Sequence, residues 1–106
     1  MKLPAVTNLF ADAGGAGETF ETLLGGGGFD LERIVSRGQA SPRGHWYDQE
    51  RPEWVALLQG DAELEFDGGE MLALTAGDFL LIPAGCRNRV ASVSDDAVWL
   101  ALHHDG

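Results

Sequence analysis

Apolar and polar residues alternate with period two through much of the second half of the chain. Residues 62–66 (Ala-Glu-Leu-Glu-Phe) alternate strictly, as a half-buried strand does. Asp67-Gly68-Gly69 then reads as a hairpin turn into a strand over 71–74. Before it, residues 54–59 form a run that is apolar up to its last residue, Gln59, and is closed by Gly60-Asp61. After it come the turn Ala76-Gly77-Asp78, a short buried strand over 79–82, and the stop Pro83-Ala84-Gly85. Strands over 88–93 and 98–103 follow, separated by Ser94-Asp95-Asp96. In the first half, 29–35 reads as a strand, and 18–24 fits either a short strand or one or two turns of helix. Two glycine clusters, 14–17 and 25–28, read as turns. Neither is followed by Lys-Ser or Lys-Thr, so a phosphate loop is not expected. The pattern predicts six or seven short strands about 8–12 residues apart and no long amphipathic helix.

The chain has 106 residues, enough for one domain with a core of modest size, for which burial of further apolar surface in a homodimer is a natural supplement. Seven basic residues stand against seventeen acidic ones, a net charge of −10. That field repels a phosphate backbone and an anionic membrane surface alike, so neither nucleic acid nor membrane is an expected partner. No apolar run approaches the roughly 20 residues that span a bilayer. The lone Cys86 allows neither an internal disulfide nor a cysteine-rich zinc site. The N-terminal segment has no apolar h-region and is interrupted by Pro4, so no signal peptide is read there and a reducing cytoplasmic setting is expected.

Two stretches resemble the paired motifs of the cupin superfamily. In the second, over 77–92, Gly77 is followed after five residues by Pro83, then by Gly85, Asn88 and Ser92. Three fixed positions match, and Asn88 stands where the family carries a metal-binding histidine. In the first, over 44–60, Glu53 and Gly60 match the Glu-x6-Gly end of the motif. The two upstream histidine positions hold Tyr47 and Gln49 in one register, or Trp46 and Asp48 in the other, with His45 just outside both. The resemblance implies an all-β fold, a small double-stranded β-helix (jelly-roll) barrel, formed as a single cupin domain over 1–106. It also implies a site at the barrel mouth for a small-molecule ligand.

The same resemblance implies a metal held by histidines and a glutamate, a ligand set suited to a divalent transition metal such as Zn, Mn, Fe or Ni. Here that set is degenerate. Glu53 is the candidate catalytic residue, as ligand or general base. Trp46, Tyr47, Gln49, Glu53, Asn88 and Trp99 are the expected pocket residues: aromatic walls with a few polar groups. On the last strand Trp99, Ala101 and His103 share one face, and Val98, Leu100, Leu102 and His104 the other. His103 therefore either reaches the barrel mouth or sits at a fraying chain end. In the first case His45, Asp48, Glu53 and His103 are the candidate metal ligands. Asp48 is also read as a turn residue. Arg87 and Arg89 flank Asn88 and are expected at the surface, with anion binding open to either. The expected function is binding of a small molecule without firmly held metal. The alternative is a metal-dependent enzyme of the dioxygenase, isomerase or epimerase type, built on Glu53 with His45 or His103.

Overall fold

The computed structural model describes residues 3–11, 17–42 and 44–105. Among them are eight strands: β1 (Thr19–Gly26), β2 (Phe29–Ser36), β3 (Glu53–Gln59), β4 (Asp61–Phe66), β5 (Met71–Thr75), β6 (Phe79–Ile82), β7 (Asn88–Val93) and β8 (Ala97–His104). The segment open to strand or helix is strand β1, which pairs antiparallel with β2. The strand count exceeds the six or seven expected. The second glycine cluster is also less of a turn than it reads: Gly25 and Gly26 pair with Asp30 and Phe29, and only Gly27-Gly28 make the bend. Most of the first cluster, residues 14–16, lies outside the described residues.

The strands form a five-stranded sheet, β1-β2-β8-β3-β6, and a three-stranded sheet, β5-β4-β7. All neighbours are antiparallel. Period-two alternation turns one face of each sheet toward the other, and the core forms there. Val55 and Leu57 on β3, Ile82 on β6 and Trp99 on β8 meet Ala62 and Leu64 on β4 and Leu74 on β5. This is the all-β jelly-roll arrangement.

Two details of the backbone position the site. Gly60 turns β3 into β4 at φ +91°. A Cβ there would collide with Ser94 Oγ and Ala97 Cα, so both conformation and space require glycine. Register between β3 and β8 shifts by one residue between Leu57 and Gln59, a β-bulge that leaves Glu53 paired with His103.

Candidate functional site

One end of the space between the sheets stays open as a cavity of about 170 Å³, room for about six water molecules at liquid density. Its wall on the large sheet comes from alternate residues of adjacent strands: Glu32, Ile34 and Ser36 of β2, Trp99 and His103 of β8, and Glu53 and Val55 of β3. Asn88 and Val90 of β7 face them from the small sheet.

An extended segment that leads from β2 to β3 closes the side. Ser41 N–H donates to Val90 O, and Tyr47 and Asn88 exchange backbone hydrogen bonds at 2.7 and 3.0 Å. Gly85 N–H donates to Gln49 O at 2.8 Å. Residues 46–49 thus run beside the start of β7, bridged at Tyr47–Asn88, and their side chains alternate. Tyr47 and Gln49 line the cavity, whereas Trp46 and Asp48 do not. This selects one of the two registers read from the sequence. Trp46 therefore corrects the expected pocket: its ring lies outside, 5.6 Å from the Arg87 guanidinium, within cation–π range.

Glu53 and His103 are the ionisable pair of the cavity wall. They are direct cross-strand partners, and Glu53 Oε2 lies 3.1 Å from His103 Nε2, each side chain 15 % exposed. His103 is not at a fraying end. It sits on the sheet's central strand, paired to Asp30 on one side and Glu53 on the other. Burial pushes the Glu53 carboxyl above its ordinary pKa. His103 works against that shift, and the nearby Glu32 carboxylate adds to it. The Tyr47 phenol is also raised, by burial first and then by Glu18, against a hydrogen bond with Ser41 that lowers it and with a further rise from Glu53.

Asn88, 6 % exposed, is fixed by a hydrogen bond from its Nδ2 to Cys86 O at 3.0 Å. Three further lining residues carry no motif and escape a reading of the sequence: Glu18, Phe20 and Glu32. Glu18 is held in place by Ser36, whose Oγ–H donates to Glu18 Oε2 at 3.0 Å. Period two on β2 was the available signal for Glu32, but both faces of that strand carry a charged residue. Its neighbour Arg33 turns the other way and is buried by the N-terminal segment, donating to Leu9 O and Ala11 O.

A family model described as "Cupin domain" matches residues 32–103. The chain belongs to the cupin family. A search of curated proteins finds no match. Among solved structures, a putative mannose-6-phosphate isomerase from Ralstonia eutropha JMP134 is 44% identical, with a TM-score of 0.90 over 97% of this chain and 100% of that one. A cupin superfamily protein from Desulfitobacterium hafniense DCB-2 shares 16% identity at a TM-score of 0.78, covering 98% and 95% of the two chains. KdgF from Halomonas sp. shares 20% at 0.70, covering 90% and 85%. The last two likenesses concern the fold alone.

The cupin motif positions do converge on one cavity: Tyr47, Gln49, Glu53 and Asn88 all line it. Their chemistry does not fit the family's metal. Tyr, Gln and Asn stand where the family has three imidazoles, and neutral phenol and amide oxygens are much weaker ligands for a transition metal. The alternative set built on His45 and Asp48 is not assembled either. Both are exposed and outside the cavity lining, His45 resting edge-on against Tyr47 at 5.3 Å. Among the described residues no three His, Cys, Asp or Glu side chains group as a metal site. The arginines flanking Asn88 are both paired with carboxylates, Arg87 with Asp67 at 3.1 Å and Arg89 with Glu65 at 2.7 Å. Arg89 is half-buried rather than at the surface.

Proposed function

We propose that this cupin is a proton-transferring enzyme of the isomerase or epimerase type, acting on a small hydroxylated carbonyl compound. The Glu53–His103 pair carries the reading: a desolvated carboxyl of raised pKa, held at 3.1 Å by an imidazole on the wall of a small-molecule-sized cavity. A carboxylate of raised basicity is suited to removing the proton from a carbon next to a carbonyl. In that step Glu53 takes the proton, the C–H electron pair becomes the enolate C=C bond, and the carbonyl π pair moves onto oxygen. The Tyr47 phenol stays protonated and can donate to that oxygen. Return of the proton from Glu53 to the former carbonyl carbon, while the neighbouring hydroxyl passes its proton to the former carbonyl oxygen and becomes the new carbonyl, completes isomerisation; protonation of the original carbon from its opposite face, by water, completes epimerisation. No step passes through a metal. The 44% identical relative described as a mannose-6-phosphate isomerase supports the reaction type.

The test is proton exchange. Aldoses and ketoses are incubated with the protein in D2O, and NMR follows wash-in of deuterium next to the carbonyl. Exchange is expected with the wild type and is expected to fall by about 100-fold or more in Glu53→Gln. Binding of a sugar without exchange of any carbon-bound proton would make the protein a ligand-binding cupin instead.

A further inference from the structure

Resting on that reading of the cavity, we propose that the substrate carries a positive charge: a compact, ammonium-bearing hydroxylated carbonyl compound such as an amino sugar, not a phosphate ester. Three carboxylates line the cavity, Glu18, Glu32 and Glu53, and among the described residues no Lys or Arg does. The described arginines near it are engaged elsewhere: Arg33 with Glu21 and the N-terminal carbonyls, Arg51 with Asp30 and Asp105. A phosphate dianion would therefore enter a wall of like charge with no guanidinium to receive it.

The cavity suits an ammonium group in three independent ways. Glu18 is not a mobile surface acid, because Ser36, itself 2 % exposed, holds its carboxylate at 3.0 Å. Glu32 and Glu53 line the same wall; burial is the main cause of the rise in the Glu53 pKa, and the Glu32 carboxylate adds to it, a like-charge repulsion that a ligand cation between them removes. Phe20, Tyr47 and Trp99 supply aromatic surface in the same cavity, which favours a cation over an anion. The volume of about 170 Å³ limits the ligand to a compact molecule.

Titration calorimetry at neutral pH and low salt tests this with three probes: D-mannosamine, D-mannose and D-mannose 6-phosphate. Mannosamine is expected to bind about tenfold or more tighter than mannose, the scale of a hydrogen bond to a charged group, and mannose 6-phosphate weakest. Glu32→Gln and, separately, Glu18→Gln are expected to bring the mannosamine-to-mannose ratio toward one. Glu18 precedes β1, so its variant carries the test if Glu32→Gln fails to fold. Tighter binding of the phosphate ester than of mannose, equal binding of mannose and mannosamine, or no binding of mannosamine at about 10 mM each overturns the proposal. The readout needs no turnover. Loss of proton exchange with this order of affinities intact counts against the isomerase reading alone, and exchange with the order reversed counts against the charge alone.

Discussion

Glu53 and His103 face each other as direct cross-strand partners on β3 and β8, and their side chains meet at 3.1 Å. Hydrogen-bonded strands hold such a pair with little freedom to separate. The geometry therefore belongs to the sheet and not to a loop, and each partner's environment is set by the other.

The first prediction concerns pH. Burial raises the Glu53 pKa in the folded protein. While the carboxyl is protonated in both states it leaves stability unchanged. As pH rises from its ordinary value through the raised one, the unfolded chain ionises first and the folded state loses relative stability. Glu53→Gln removes that loss. The stability of the variant minus that of the wild type is expected to grow from about pH 4 upward and level off above the raised value. Urea denaturation at matched pH measures it. A difference that stays flat or shrinks contradicts burial as the dominant cause.

The second concerns the core. Leu57 is 0 % exposed at the centre of the cluster between the sheets. Leu57→Ala is expected to destabilise the protein by about 2–5 kcal/mol, through lost burial and the cavity left behind. A loss well under 1 kcal/mol in urea unfolding would mean that the sheets close over the gap.

Gly60 gives a third. Its φ of +91° and the contacts a Cβ would make with Ser94 and Ala97 act together. Gly60→Ala is expected to cost about 1–3 kcal/mol, visible as a lowered melting temperature. An unchanged melting temperature would contradict this account of the motif glycine.

Metal binding gives a fourth. Gln49, Glu53, Asn88 and His103 all line one cavity, and two of the four are amides. The double variant Gln49→His/Asn88→His supplies the missing imidazoles. It is expected to bind Ni or Zn at least about tenfold tighter than the wild type. Calorimetry with the metal alone decides this, and equal affinities would show that the four side chains do not converge.

Much of this fold is legible in the sequence because its turns have chemical necessity. Gly77 and Gly85 adopt φ of +98° and +74°, conformations that favour glycine, and the matching motif rests on them. That motif leads to Asn88, the first motif to Tyr47, Gln49 and Glu53, and alternation on the last strand to Trp99 and His103. Glu18 and Glu32 were not legible. Glu18 precedes β1 and Glu32 lies on β2, both outside the motifs, and what turns Glu32 inward is the burial of Arg33 under residues some twenty positions earlier. Trp46 misled for a different reason: an aromatic residue suits a pocket, but extended backbone gives neighbouring residues opposite directions, and Tyr47 took the inward one.

The bulge between Leu57 and Gln59 acts as a selector. Strand β8 ends in two adjacent histidines, His103 and His104, and adjacent residues on a strand point to opposite faces. Continued without the bulge from the pairing of Gln59 with Val98, regular register would bring Glu53 opposite His104. One inserted residue in β3, Leu58, about 17 Å along the strand from Glu53 at ordinary strand rise, thus determines which imidazole meets the carboxylate. Length changes near residue 58 are therefore chemical mutations as well as structural ones: they can exchange one histidine for the other without substituting any residue that lines the cavity.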